Sequence, residues 1–183
     1  MRLLHTPRCT LEPLLAVHAD AMFDVLADPA ICEFENAPPA SAQALRARYQ
    51  RLESRCSPDG REQWLNWVLR LPDAALAGYV QATVLPSGVA LVAYELASRH
   101  WRQGIGSAAV RAMLQELAAA CGVHTAVAVL KARNHRSPGL LLHLGFVPGM
   151  PADAGLEAID ADEIACHLPL HRDAIGLPPE AAG

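Results

Sequence analysis

A glycine pair in the middle of the chain, Gly104 and Gly106, lies where an apolar run ends and a helical pattern begins. Val89 to Leu96 reads as a strand. Beyond the turn, Val110, Met113, Leu114, Leu117, Ala118 and Cys121 recur at three- and four-residue spacing, as one buried face of a helix requires. A strand, a tight turn and a helix start leave several backbone N–H groups pointing one way without partners. At the positive end of a helix dipole such a cluster holds phosphate or pyrophosphate. A glycine lets the anion approach where a Cβ would block it. The chemistry expected of Gln103 to Ser107 is therefore anion binding.

The charge pattern agrees. From Leu96 to Ala152 the sole acid is Glu116, against Arg99, Arg102, Arg111, Lys131, Arg133 and Arg136, in a chain whose net charge is −4. A positive stretch inside an acidic protein suits a small anionic ligand better than nucleic acid. Any one of these arginines reads as readily as a solvated helix face; the scarcity of acids across the whole stretch does not. A dinucleotide-binding fingerprint does not fit: Ala109 is permitted at the third glycine position, but Thr125 to Lys131 lacks the acid expected about 20 residues on. A Walker loop needs Gly-Lys-Ser/Thr, which is absent. No metal site is expected either, since His167 and His171 are separated by Pro169, which breaks any helix that would bring them together.

The glycine turn has company downstream: an apolar strand Ala126–Leu130, then Asn134, Ser137 and Leu144-Gly145-Phe146. This succession resembles the GNAT N-acetyltransferases, nearest the branch of ribosomal-protein N-terminal acetyltransferases. The resemblance implies acetyl-CoA as co-substrate, in a cleft where the strands Val89–Ala97 and Thr125–Leu130 diverge. It implies pyrophosphate on Arg102, Gln103, Gly104, Ile105, Gly106 and Ser107, and pantetheine along Leu96 and Ser98 with Asn134 beside it. Asn134 reads locally as a turn residue equally well. The reaction implied is direct attack of a primary amine, on a small molecule or a peptide N-terminus, at the thioester. A base must take the ammonium proton, and the candidates in order are Glu95, Glu157 and Glu35. The departing thiolate needs a proton. Many family members use a tyrosine where this chain has Leu141, whereas the ribosomal-protein branch has a serine at the place of Ser137. Pro138-Gly139 directly after it also suits a helix start that would make Ser137 an N-cap. A longer acyl group, or a non-catalytic CoA-binding module, remain alternatives. Family habit allows a homodimer.

The elements that must position these residues follow from periodicity and turns. Thr10 to Leu14 reads as an opening strand. Ala16 to Ala27 reads as a helix with Val17, Ala21, Val25 and Leu26 inward, stopped by Asp28-Pro29. Ser41 caps a second helix running to about Arg55, with Leu45, Tyr49 and Leu52 inward. Gln63–Leu71, Leu76–Leu85 and Val89–Ala97 alternate and are joined by turn residues, an antiparallel meander. After the glycine-turn helix come Thr125–Leu130, a short helix ending at Gly145, a strand opening at Phe146-Val147, and Ile164–Leu170. The expected fold is α/β (α+β): a GNAT-like mixed, mostly antiparallel sheet of about six to seven strands with helices on both faces. Residues 1–170 form a single acyltransferase domain, and 171–183 read as a frayed tail.

A chain of 183 residues has room for one substantial core. No apolar run reaches the roughly 18 residues of a membrane span, so no membrane partner is expected. The 5 cysteines are odd in number and never in a C-x-x-C pair. That argues against a disulfide framework and for a cytoplasmic protein with reduced thiols.

Overall fold

The computed structural model describes residues 1–34, 37–151 and 159–170. The strands are β1 (Leu4–His5), β2 (Thr10–Pro13), β3 (Gln63–Arg70), β4 (Leu76–Val84), β5 (Val89–Leu96), β6 (Thr125–Lys131), β7 (Val147–Pro148) and β8 (Glu163–Pro169). The helices are α1 (Ala19–Leu26), α2 (Ala42–Leu52), α3 (Ile105–Ala120) and α4 (Ser137–His143). The strands make one 8-stranded sheet in the order β1-β2-β3-β4-β5-β6-β8-β7. Among the described residues only β5 and β6 run parallel. The meander, the glycine-turn helix and the mixed sheet stand as the sequence predicts. The additional strand is β1, a two-residue partner of β2 that carries no alternation signal. It exists because Thr6 folds the turn: its Oγ1 accepts from the N–H of Arg8 and Cys9 and donates to the Cys9 carbonyl at 2.8 Å.

The two faces of the sheet carry different cores. On one, α3 and α4 lay Val110, Met113, Leu114, Leu117, Leu141 and Leu144 over Leu65, Trp67, Val80, Ala82, Val92 and Ala128. Fully burying side chains such as Trp67, Met113 and Phe146 stabilises by about 1.5–3 kcal/mol each. The Trp67 indole N–H donates to the Arg2 carbonyl at 3.1 Å, so burial leaves no donor unpaired and pins the N-terminal arm. Arg2 in turn grips the carboxylate of Glu116 at 2.6 Å, which occupies the sole acid of the positive stretch.

On the opposite face, α1 and α2 pack Met22, Val25, Leu26, Leu45 and Tyr49 over Val68 and Leu76. Ser41 caps α2 by accepting from the Ala44 N–H at 3.0 Å, as its position predicts. The inward stripe of α1 is corrected. Val17 is 73% exposed, and Ala19, Met22, Val25 and Leu26 are the buried residues. The segment Ala16–His18 is a 3-10 turn. Its tighter winding rotates Val17 off the face that the following α-helix presents.

Candidate active site

β5 and β6 pair only through Val89–Leu91 and Thr125–Val127 and then part. β5 stays on β4 as far as Leu96 opposite Gly78, and β6 stays on β8 as far as Lys131 opposite Glu163. Between them the sheet opens as a wedge. Leu85 donates to the Val89 carbonyl and Ala97 to the Ala77 carbonyl. Alternation along an antiparallel ladder then turns the amides and carbonyls of Val92, Tyr94 and Leu96 toward the wedge. Gly78 makes this strand end possible: a Cβ there would lie 2.0 Å from the Glu95 carbonyl oxygen.

At the wide end of the wedge the chain turns into α3. Arg102 (φ 58°) and Gly104 (φ 74°) both take left-handed backbone, and no side chain caps the helix start, which leaves its first N–H groups facing outward. Gln103 spends its side-chain amide on the Arg99 carbonyl at 3.0 Å. Ser107 is half-buried. The two glycines divide their labour. Gly104 is exposed and serves the turn, with the Arg8 side chain folded over it, Nε standing 3.0 Å from where a Cβ would be. Gly106 is buried, and a Cβ on it would meet Leu140 Cδ1 at 3.1 Å. α3 and α4 therefore pack closely at Gly106, where a side chain would require Leu140 to shift.

Two of the expected backbone contacts have partners within the chain. The Leu96 carbonyl accepts from the Trp101 indole at 2.6 Å, and the Ser98 amide donates to Asp28 Oδ2 at 2.7 Å. Of the groups on these two residues, the Leu96 amide is left aimed into the wedge, beyond the amides and carbonyls of Val92 and Tyr94. Burial works to raise the Asp28 carboxyl, but hydrogen bonds from Ser98 and Ala30 and the charge of Arg99 hold it below its ordinary value.

Asn134 and Ser137 come together at the start of α4. Asn134 is 6% exposed, and its Oδ1 accepts from the amides of Arg136 and Ser137 at 3.1 and 3.2 Å. Its Nδ2 donates to Ser137 Oγ at 3.1 Å. Asn134 is therefore the residue that caps this helix start. Ser137 is its first residue, with a hydroxyl that caps nothing, which removes the N-cap alternative for Ser137. The Tyr94 hydroxyl donates to the Ser137 carbonyl at 3.2 Å, so three polar side chains converge beside the wedge.

The positive stretch is less free than its composition suggests. Lys131 bonds Asp162 and Glu163, both at 3.0 Å, and locks β6 to β8. Arg136 pairs with Glu33 at 2.6 Å and lies between the rings of Trp101 and Phe34, 4.9 and 5.1 Å from their centroids. Arg133 donates to the Phe34 carbonyl at 3.0 Å. The segment after α1 thus straps across to the start of α4. Of the cations in the positive stretch, Arg99 and Arg102 lie at the turn before α3.

Glu95 lies on the other face of β5, where α1 and α2 wall an open pocket. Tyr79 is its cross-strand partner. Burial, the Glu95 charge and a hydrogen bond to that carboxylate push the Tyr79 phenol well above its ordinary value. Arg48, Tyr49, Asn66 and Gln81 also line the pocket. The sequence carried no sign of Tyr79 and Tyr49 as site residues; Tyr49 read as an inward helix residue and Tyr79 as one position of a strand, and only strand register and the placing of α2 bring them to Glu95. Glu35 and Glu157 lie outside the described residues. Among the described residues no three His, Cys, Asp or Glu side chains could hold a metal ion, and no helix is long and apolar enough to cross a membrane.

Residues 8–147 match the family model described as "Acetyltransferase (GNAT) domain". The chain belongs to the GNAT acetyltransferases. No curated protein matches it. Among solved structures this GNAT acetyltransferase is similar to RimL, a ribosomal L7/L12 alpha-N-protein acetyltransferase in complex with coenzyme A. That pair is 15% identical with a TM-score of 0.75 over 92% of this chain and 98% of the other. It is also similar to a ribosomal-protein-S5-alanine acetyltransferase from Vibrio fischeri, at 18% identity and a TM-score of 0.74 over 92% and 97%. A third is a GNAT-family acetyltransferase from Bacillus anthracis, at 12% identity and 0.72 over 92% and 99%. These likenesses are of fold. GNAT acetyltransferases use acetyl-CoA, and the residues present fit it: an anion-ready turn at the mouth and strand-edge amides along a wedge.

Proposed function

We propose that this enzyme transfers the acetyl group of acetyl-CoA to a primary amine, carried by a small molecule or a peptide N-terminus. The observation that carries the reading is the wedge between β5 and β6, which ends at an uncapped helix start and has Glu95 on the adjoining face of β5. Bound acetyl-CoA supplies an activated acyl thioester. The N–H groups from Gln103 to Ser107, with Arg102, hold its phosphates, and strand-edge groups of β5 hold its pantetheine arm.

Glu95 receives the proton that the attacking ammonium must lose, by contact or through water in the open pocket. The Leu96 amide, directed into the wedge, donates to the carbonyl oxygen as charge grows on it. Ser137 gives its hydroxyl proton to the departing sulfur and regains one from water. The hydrogen bond from Asn134 Nδ2 to Ser137 Oγ steadies the oxygen while it is short of a proton. Leu141, 1% exposed and apolar, has no part in this.

The test is a thiol-release assay with acetyl-CoA and a panel of primary amines. Glu95→Gln is expected to lower kcat by roughly 10²- to 10⁴-fold while leaving CoA affinity within about threefold. A wild-type protein that binds CoA and turns over no amine would mark a binding module instead. Unchanged kcat in Glu95→Gln would take the base role from Glu95.

A further inference from the structure

The pocket beside Glu95 contains a polar atom that the fold leaves unsatisfied. Tyr49 is 3% exposed, and its hydroxyl oxygen is buried without a hydrogen-bond partner. Burying a phenol O–H in this way costs a lost hydrogen bond. Position 49 serves the core of α2 equally well as a phenylalanine, because its ring is what packs with Leu45 and Val68. The hydroxyl is thus unexplained by the fold.

Its neighbours indicate what would satisfy it. Tyr49 shares the pocket with Glu95, Arg48, Tyr79, Asn66 and Gln81. Asn66 and Gln81 are cross-strand partners, so their amides stand side by side on the sheet surface that floors the pocket. Burial raises the Tyr49 phenol to about 12, with Arg48 and Glu95 acting on it in opposite directions. At physiological pH it is a neutral O–H donor. A neutral donor among neutral amides, one side chain away from a carboxylate, matches a neutral oxygen set close to an amine.

We propose that Tyr49 is a specificity-determining residue of the acceptor pocket, its hydroxyl donating to a neutral carbonyl or hydroxyl oxygen that the acceptor carries beside its amine. The proposal rests on the acetyl-transfer reading above. Glu95 takes the amine end and the Tyr49 O–H the oxygen. An amine without such an oxygen leaves the phenol unpaired and is acetylated poorly. A site built to hydrogen-bond its substrate discriminates in this way against an analogue lacking the group.

The experiment uses the full chain, wild type and Tyr49→Phe, with acetyl-CoA and three probe amines: L-alaninamide (carbonyl oxygen), 2-aminoethanol (hydroxyl oxygen) and isopropylamine (neither). For the wild type, kcat/KM for at least one oxygen-bearing amine is expected to exceed that for isopropylamine by about 100-fold, and the better of the two identifies the kind of oxygen. In Tyr49→Phe that ratio should fall to within about threefold, through KM for the amine, with KM for acetyl-CoA unchanged. The melting temperature of the variant, without any amine, should equal or exceed that of the wild type, since an orphaned donor has been removed. A lower melting temperature means that the hydroxyl bonds within the protein, which overturns the proposal. So does an intact preference in the variant, or a wild type that prefers isopropylamine or acetylates none of the three. Failure of the acetyl-transfer reading itself registers separately, as absence of CoA binding in calorimetry or of thiol release with every amine of the wider panel.

Discussion

At the residue scale, Asn134 and Ser137 divide roles that the sequence left overlapping. The spacing of both residues was legible. The direction of their hydrogen bonds was not, because it depends on how the loop after β6 folds back over the start of α4. Two substitutions separate the roles. Asn134→Ala removes the acceptor for two helix-start amides and should cost about 1 kcal/mol of stability. Ser137→Ala removes no cap. It should leave chemical denaturation within about 0.5 kcal/mol of wild type, while turnover drops roughly 10- to 1000-fold, a span reaching into general-acid effects. Equal destabilisation with normal kcat in Ser137→Ala would return Ser137 to a purely structural role. Glu95 was legible as a carboxylate on β5. Its phenol neighbours Tyr79 and Tyr49 were not, since contact across strands and between helix and sheet leaves no local trace in the chain.

Among elements, β5 matters most, and Gly78 on β4 governs how closely its end lies. Gly78→Ala would thrust a methyl group 2.0 Å from the Glu95 carbonyl oxygen and prise the two strands apart beside the wedge. Overpacking of this kind costs about 3 kcal/mol, and activity should fall with it; a variant as stable as wild type by urea titration would contradict the close approach. The strap after α1 is held through Asp28 on the Ser98 amide and through Arg136 between Trp101 and Phe34. Because the folded Asp28 carboxyl is depressed below its ordinary 3.8, its contribution to stability is fully present above that pH and lost as pH falls through the lower folded value. The melting-temperature gap between wild type and Asp28→Ala should therefore be constant from neutral pH down to about 5 and close in stronger acid. A gap that persists unchanged at pH 2 would mean that Asp28 acts otherwise than as a charged acceptor. The helices and the meander were legible because their signals are local: alternation, turn residues and the Ser41 cap. The phase of α1 and the β1 hairpin escaped because one turns on a 3-10 entry and the other on a single threonine side chain.

For the whole molecule, the sheet is divided at the β5–β6 opening, with α3 and α4 on one face and the Glu95 pocket on the other. The mixed, mostly antiparallel sheet with helices on both faces followed from the order of strands and helices in the chain. Where the sheet parts could be expected only by resemblance, since strand pairing is not written in either strand alone. The central claim is that the uncapped start of α3, at the mouth of this opening, binds the phosphates of CoA. Ser107→Asp tests it with few confounders, because the substitution lies in the first turn of α3. A carboxylate in that turn favours the helix by about 0.3–1 kcal/mol, yet it repels a bound phosphate. Calorimetric titration of coenzyme A into both proteins should show at least a tenfold weaker affinity in the variant, with an equal or higher melting temperature. Undiminished affinity in the folded variant would contradict the account.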